Sequence, residues 1–220
     1  MPPLPPSLAA VFQAALGGGA KRERTQVQLV QAAVRVFAER GVPAATVQEV
    51  AQVAGVTAGT FYNHFRTKDE LLARVALVLA DSLSHAINGS YAQVKDGAER
   101  MAIGQRRYVW LAAQSPQWAL LLLDVLAARP SEFEAIQGYV LADLRLGLKQ
   151  KRFKVASEAA ALDAIAGTCT FAMRRVALGL APANHDIATA TTVLRALGMA
   201  QDEAAAVARR PLPELGTGST

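Results

Sequence analysis

The side chains best suited to chemistry lie close together between residues 57 and 68. They are the hydroxyls of Thr57 and Thr60, the phenol of Tyr62, the imidazole of His64 and the ammonium of Lys68. Each of these groups can donate a hydrogen bond to a phosphate oxygen, and such contacts fix a protein on nucleic acid without reading bases. No Ser/His/Asp set accompanies them, so the pattern favours phosphate binding over catalysis.

Two short helices joined by a tight turn are needed to position these groups. Thr46 and Glu49 have the spacing of a capping box, in which a hydroxyl and a carboxylate satisfy free N–H groups at a helix start. Gly55 favours a turn with positive φ, which ends that helix. Phe61 and Phe65, four residues apart, anchor the following helix in the core. This spacing is typical of a helix-turn-helix, whose second helix enters the major groove of DNA.

The second of these helices presents small and polar residues outward. Ala58, Gly59 and Thr60 lie at its N-terminal end, where base edges come within reach. Thr60 can either hydrogen-bond a base or touch a thymine methyl group. Because the two phenylalanines face inward, Tyr62 and Asn63 are expected to face outward.

A family resemblance follows from this segment. The run Ala-Gly-Val-Thr-Ala-Gly-Thr-Phe-Tyr-Asn-His-Phe over 54–65, followed by Lys68, resembles the DNA-binding signature of the tetracycline-repressor (TetR/AcrR-type) family of bacterial transcription regulators. It covers about the N-terminal quarter of the chain; the remainder resembles the family in helical character and length. The resemblance implies double-stranded DNA as a partner, contacted by Thr46, Thr57, Ala58, Gly59, Thr60, Tyr62, Asn63, His64 and Lys68.

Composition agrees with a DNA-binding protein of the cytoplasm. The net charge is +5 and the pI about 9.7, and the basic excess lies mainly near the helix-turn-helix, as phosphate binding requires. The single cysteine, Cys169, excludes an internal disulfide and suits a reducing compartment. No apolar run approaches the roughly 18–20 residues of a membrane span, and the N-terminal segment lacks the basic start of a signal peptide.

The rest of the sequence predicts an all-α chain. Capping boxes at 67–70 and 131–134, Ser157, and Pro or Gly stops place its helix boundaries. We expect helices over about 23–39, 67–88, 97–114, 116–128, 131–150, 157–179, 186–197 and 201–209, and a short one over about 7–16. The predicted organisation is a tail over 1–20, a helix-turn-helix domain over 21–66, an effector-binding and dimerisation domain over 67–212, and a tail over 213–220.

The resemblance also implies a homodimer and a small hydrophobic effector. Apolar side chains on the helices that enclose the pocket in this family make candidate effector contacts of Trp110, Trp118, Leu122, Phe171 and Met173. Charged residues are sparse near them, which favours an aromatic or acyl-like effector over a sugar or a metal. A long apolar stripe and the following helix predict the dimer contacts Leu162, Ile165, Cys169, Val176, Val193, Leu194 and Leu197.

Two other functions are compatible with the sequence, whereas an enzyme is not expected. The chain could be a carrier of apolar molecules with a vestigial DNA-binding head, or a helix-turn-helix adaptor without a ligand. An enzyme, a metal site or a cofactor is not expected, because the three histidines are scattered and no phosphate loop is present. The favoured interpretation is a ligand-responsive regulator, most often a repressor, that binds a pseudo-palindromic operator as a homodimer.

Overall fold

The computed structural model describes residue 9 and residues 21–128 and 137–215. Within them the all-α prediction is confirmed, with ten helices and no strand. The helices are α1 (Lys21–Arg40), α2 (Val47–Val53), α3 (Ala58–Tyr62), α4 (Lys68–Ser90), α5 (Gly97–Gln114), α6 (Pro116–Ala128), α7 (Gly138–Lys149), α8 (Glu158–Ala177), α9 (His185–Ala196) and α10 (Gln201–Ala208).

Three predicted features lie wholly or mostly outside the described residues: the short helix over 7–16, the capping box at 131–134 and the end of the C-terminal tail. The helix expected from Ser131 is described from Gly138 onward. The chain divides into two compact units, Met1–Leu83 and Ser84–Thr220. Helix α4 therefore contributes residues to both units, and the division falls later than the predicted boundary at residue 66.

The core of the first unit forms around α1. Its residues Val30, Ala33 and Phe37 are fully or almost fully buried. The helix ends before Gly41, whose φ of 78° is a left-handed value that glycine adopts without a steric penalty. Helix α1 packs against α2, and α2 against α3, so the two short helices gain their stability from tertiary contacts rather than length.

Helix α5 is the centre of the second unit. It packs against α6, α7, α8, α9 and α10, and ten of its 18 residues are buried. The contacts with five helices make it the element that the rest of the unit is built around.

One apolar cluster joins α5 to the helices around it, and it corrects part of the predicted dimer surface. Ile165, Val193, Leu194 and Leu197 are at most 4% exposed within this single chain. Their side chains therefore fill the chain's own core and leave no surface for a second subunit. Helix α9 points Val193 and Leu194 inward because its neighbours α5, α8 and α10 lie on that side.

A buried polar group fixes α7 against α5 and the end of α4. The Tyr91 hydroxyl donates to a carboxylate oxygen of Asp143 over 2.6 Å, and an Arg100 guanidinium nitrogen lies 3.5 Å from the other oxygen. Burial raises the pKa of Asp143, against the opposing effects of Tyr91 and Arg100. Since the three side chains satisfy one another, we interpret them as a structural contact rather than a reactive site.

The turn after α9 gives a test of this packing. Gly198 has a φ of 97°, and a Cβ there would lie 2.9 Å from the carbonyl oxygen of Lys154, because the Lys154 N–H donates to the Leu197 carbonyl over 2.8 Å. Gly179, after α8, has a φ of 70° with open space around its Cβ position. We expect Gly179→Ala to cost only the conformational penalty of about 1–2 kcal/mol, and Gly198→Ala to cost more.

Thermal unfolding of the two variants measures the difference, at about 2–4 °C in Tm per kcal/mol for a chain of this size. Equal decreases in Tm for the two alanine variants would contradict the close approach at Gly198.

Candidate nucleic-acid interface

The first short helix of the motif is capped as the sequence predicts. The Glu49 N–H donates to the Thr46 hydroxyl oxygen over 3.2 Å, and the Thr46 N–H donates to the Glu49 carboxylate over 3.0 Å. The Thr46 hydroxyl donates its proton to the same carboxylate over 2.9 Å. These bonds, aided by Arg40, hold the pKa of Glu49 below its usual value. The box is therefore intact at neutral pH and weakens as acidification passes through that lowered pKa.

The turn between the helices requires the predicted glycine. Gly55 has a φ of 71°, and its N–H donates to the Gln52 carbonyl over 3.1 Å. The next N–H, of Val56, returns to the Ala51 carbonyl over 2.9 Å. The left-handed residue thus reverses the chain within a single step and directs it into α3.

The second helix is five residues long and is held at both ends. The Thr57 hydroxyl accepts from the Thr60 N–H over 3.1 Å, and the two threonine hydroxyls are 3.0 Å apart. Phe61 is fully buried and Phe65 is 3% exposed, with ring centres 5.8 Å apart. The capping threonine and the two buried rings therefore determine which side of α3 faces out.

That outward side carries the predicted contact residues. Tyr62 is 55% exposed, Asn63 and Gly59 are exposed, and Ala58 and His64 are half-buried. A Cβ at Gly59 would meet only the Thr57 hydroxyl, at 3.7 Å, so another molecule can approach the backbone there. The structure brings these residues together at α3 and its ends, and their contact with DNA stays a prediction.

Lys68 is placed differently from the expectation. Its ammonium donates to the carbonyls of Val42 and Ala45 over 2.8 and 2.9 Å, and contacts that of Pro43 at 3.4 Å. The structure directs this side chain to its own backbone, and its predicted contact with a phosphate stays a prediction. Local sequence spacing could not predict these bonds, because the three carbonyls lie more than 20 residues earlier in the chain.

The predicted effector residues do not form one set. Trp118, Leu122 and Met173 are buried, and Trp110 is half-buried with the Arg107 guanidinium 5.6 Å from its ring centre. Phe171 is 76% exposed, so its assignment to an internal pocket is wrong. The α8 surface that carries Phe171 faces away from the core because α8 packs on α5, α6 and α9 with its other sides.

Sequence reasoning missed three polar groups inside the second unit. Gln105 Nε2, Arg107 Nε and Ser115 Oγ are buried without a hydrogen-bond partner among the described residues. A buried donor without a partner costs roughly 1–3 kcal/mol, so such a group is a candidate for water or a ligand to satisfy. The signal in the sequence that could have revealed such groups is a polar residue among the apolar residues of a helix.

The second unit also contains a surface groove and a single cysteine. A surface groove of about 530 Å³ between α9 and α10 includes Arg195 and Arg209, and none of the predicted effector residues lines it. Desolvation raises the pKa of the Cys169 thiol to about 12, so the thiol is protonated at neutral pH. The described part of the chain contains no cluster of three potential metal-ligating residues, and none of its helices could cross a bilayer.

Comparison with known proteins gives two family matches. Residues 29–75 match the model for bacterial regulatory proteins of the tetR family. Residues 96–210 match the model for the tetracyclin repressor-like C-terminal domain. The second match alone covers more than half of the chain.

Individual relatives agree with these matches. The transcriptional repressor KstR2 of Mycolicibacterium smegmatis is 37% identical over 71 residues, which are 32% of this chain and 33% of the relative. The match thus spans about a third of that protein. The solved structure of RolR with the ligand resorcinol is 28% identical, covers 89% of this chain and 98% of its own, and has a TM-score of 0.68. FadR from Bacillus subtilis with stearoyl-CoA, at 20% identity and a TM-score of 0.59, shares the fold over 77% of this chain and 96% of its own.

The exposed phenol of Tyr62 provides a test of the interface. Tyr62→Phe keeps the ring, which packs edge-on against Phe61 at 5.3 Å, and removes the hydroxyl. We expect an unchanged Tm and a loss of about two- to tenfold in affinity for DNA of any sequence, as for one neutral hydrogen bond. The salt dependence should stay the same, because no charge is removed.

Fluorescence anisotropy over a salt series measures both quantities, with Tyr139→Phe in the second unit as the matched control. Equal affinities for Tyr62→Phe and the wild-type protein would remove Tyr62 from the interface.

Proposed function

This chain belongs to the tetR family of bacterial regulatory proteins, and from that membership we propose that it is a ligand-responsive repressor that binds its operator as a homodimer in the cytoplasm. The family consists of transcription regulators rather than enzymes. The single observation that carries the DNA-binding part is the outward face of α3, fixed by Thr57 and by the buried Phe61 and Phe65.

DNA binding by this face is tested with genomic fragments in a mobility-shift assay. A shifted fragment that resists competition by unrelated DNA is the expected result. If no fragment is shifted at micromolar protein, the DNA-binding role fails, and a carrier of small apolar molecules becomes the better proposal.

The proposed dimer surface is the exposed face of α8 and the turn after it. Among the described residues, the five exposed large hydrophobic side chains include Phe171, Leu178 and Leu180, which are 76%, 53% and 64% exposed. Gly167 lies one helical turn before Phe171 and is also exposed, so a partner helix can approach closely. Apolar residues clustered on a surface indicate a protein contact. Leu162, Cys169 and Val176 are partly exposed and stay in this proposal; the four residues in the core do not.

Substitution of Phe171 tests this surface. We expect Phe171→Glu to convert the dimer into a monomer, because a carboxylate in a closely packed interface loses its hydration without gaining a partner. Light scattering at micromolar concentration measures the mass against that of one 23.2 kDa chain.

Val53→Glu is the control for Phe171→Glu, since Val53 is 42% exposed but lies in the first unit. A wild-type monomer, or a Phe171→Glu protein that remains dimeric, would exclude this surface.

The proposed effector is a small, predominantly hydrophobic molecule, aromatic in nature and carrying at least one hydrogen-bonding oxygen. The apolar part follows from buried Trp118, Leu122 and Met173 on α6 and α8. The oxygen follows from the Gln105 amide, which is 4% exposed and has a donor without a partner. RolR, at 28% identity, binds resorcinol, a phenol with both properties.

Gln105→Leu separates the effect of the amide on stability without effector from its effect on effector binding. Without effector, we expect the variant to be as stable as the wild type or more stable, because an apolar residue removes the unsatisfied donor. With resorcinol or a related phenol as probe, the wild type should gain about 2.7 kcal/mol at a hundredfold excess over Kd, and the variant clearly less.

Thermal shift measures this stabilisation, and release of DNA in the mobility-shift assay measures the response. Equal stabilisation of both proteins by every phenol that binds would remove Gln105 from the effector site. DNA binding without release by any phenol or acyl compound would favour the ligand-independent adaptor.

A further inference from the structure

We infer that Arg107, on α5, is a binding site for the carboxylate group of a small apolar acid, separate from the effector contact proposed at Gln105. The binding surface is the edge of the guanidinium group that Nε and Nη2 form together. This inference goes beyond the proposed function, because neither DNA binding nor the response to a phenol depends on it.

Arg107 is a buried cation without a counter-ion. Its exposed fraction is 8%, and no carboxylate forms an ion pair with it in the described part of the chain. The other two arginines of α5 are both paired. Arg100 lies 3.5 Å from a carboxylate oxygen of Asp143, and Arg106 donates to Asp186 over 2.8 Å. Because a buried charge without a partner destabilises the fold, the position of Arg107 favours the binding of an anion.

The available donors of Arg107 lie on the edge of a guanidinium that can bind a carboxylate through two bonds. Its Nε has no hydrogen-bond partner, and its Nη2 donates to the Pro213 carbonyl. Arg145 shows the complete arrangement in the same unit, since its Nε and Nη2 lie 3.1 and 2.9 Å from the two carboxylate oxygens of Glu158. Such paired bonds add both strength and geometric specificity. At Arg107 an uncharged carbonyl uses only one of the two donors.

The Pro213 carbonyl belongs to the segment over 209–215, which follows α10 and contacts α5. Before this segment reaches Pro213, Arg106 Nη1 donates to the carbonyls of Ala208 and Arg210 over 3.0 and 2.7 Å. Hydrogen bonds between two charged groups are about twice as strong as neutral ones. A carboxylate can therefore replace the Pro213 carbonyl on Arg107, while Arg106 continues to hold the chain before it.

The surroundings of Arg107 favour an acid with an apolar body. Ile103 and Leu111 lie one helical turn before and after it, on the same side of α5, and both are buried. The ring centre of Trp110 lies 5.6 Å from the guanidinium carbon. A sugar acid or a polyanion would lose the hydration of its other polar groups beside these side chains, so we expect a monocarboxylate with an aromatic or aliphatic body.

Arg107 and Gln105 lie on different sides of α5. Two residues correspond to a rotation of about 200° around an α-helix, so the two side chains leave the helix in nearly opposite directions. An acid bound at Arg107 and a phenol bound at Gln105 therefore use different surfaces, and the two positions can be tested independently.

The first measurement is a calorimetric titration of the full-length protein with benzoate and with hexanoate, at constant ionic strength. Each acid is compared with its neutral amide, benzamide or hexanamide. We expect each acid to bind at least about tenfold more tightly than its amide, because its bonds to the guanidinium are charge-assisted on both sides. Equal binding of acid and amide, or no binding of either acid at millimolar concentration, would overturn the inference.

Variants assign the binding to Arg107. Arg107→Met removes the guanidinium, and Arg107→Lys keeps the charge but lacks an edge with two donors. We expect the first variant to lose at least about tenfold in affinity for both acids, and the second to lose most of the preference for acid over amide. Arg145→Met is the matched control, because Glu158 already occupies the same edge of that arginine. Wild-type affinity for the acids in Arg107→Met would overturn the inference.

The chain itself offers a second source of the carboxylate, because Glu214 follows Pro213 directly and is exposed. Glu214→Gln distinguishes the two sources. Equal binding of benzoate by this variant and by the wild type supports a free acid. Binding of benzoate by Glu214→Gln but not by the wild type would overturn a free acid as the ligand and assign the edge to the chain's own carboxylate.

The second measurement uses the wild-type protein alone and follows the Nε–H groups of its arginines in a proton–nitrogen correlation spectrum. We expect benzoate to shift the signal of Arg107 Nε, which has no partner in the free protein. The signal of Arg145 Nε should stay in place, and benzamide at the same concentration should shift neither. An unchanged Arg107 signal at a benzoate concentration that saturates the calorimetric titration would overturn the inference.

Discussion

The burial of Phe61 and Phe65 is the interaction on which the DNA-reading part of this protein depends. Helix α3 has five residues, far fewer than the roughly 12–15 that an isolated helix needs for marginal stability in water. Burying two aromatic rings contributes the energy that the short helix lacks. It also fixes the helix rotation, and rotation decides that Tyr62 and Asn63, rather than the rings, are exposed.

The second unit is organised by a different constraint, which is that α5 packs against five other helices. Ten of its 18 residues are buried, and two of these, Gln105 and Arg107, are polar. Arg107 illustrates the consequence: burial lowers the pKa of its guanidinium, with Arg106 beside it acting in the same direction, and its Nε has no partner. The Gln105 amide is also buried with a donor that has no partner, but it carries no charge. Buried polar groups without a hydrogen-bond partner destabilise the fold. A ligand that hydrogen-bonds one of them therefore stabilises the state in which it is bound.

The parts of the fold that could be predicted from sequence are those governed by local spacing. The capping box at Thr46, the left-handed Gly55 and the buried phenylalanine pair depend on residues within about one helical turn of each other. The capping residues Thr67 and Ser157 are of the same kind. At Thr67 the Glu70 N–H bonds the hydroxyl as expected, whereas the Glu70 carboxylate accepts from the residue before the cap.

The predictions that were wrong concern side chains whose exposure depends on which neighbouring element a helix packs against. Phe171 and Val193 are both apolar residues on amphipathic helices, and nothing in their spacing shows that one is exposed and the other buried. The hydrogen bonds of Lys68 could not be predicted for a similar reason, because their acceptors lie in a loop distant in sequence. Side-chain type and helical period identify a face, but long-range packing decides what covers it.

A dimer that binds two half-sites through α3 is tested most directly by a hydroxyl-radical footprint. The wild-type protein is footprinted on a genomic fragment that it binds. Such a dimer should give two symmetric protected patches whose centres lie about one turn of DNA apart or somewhat more, on a pseudo-palindromic sequence. Weaker protection of both patches on addition of a phenolic effector should follow. A single protected patch, or protection without sequence symmetry, would exclude a dimer that binds two half-sites.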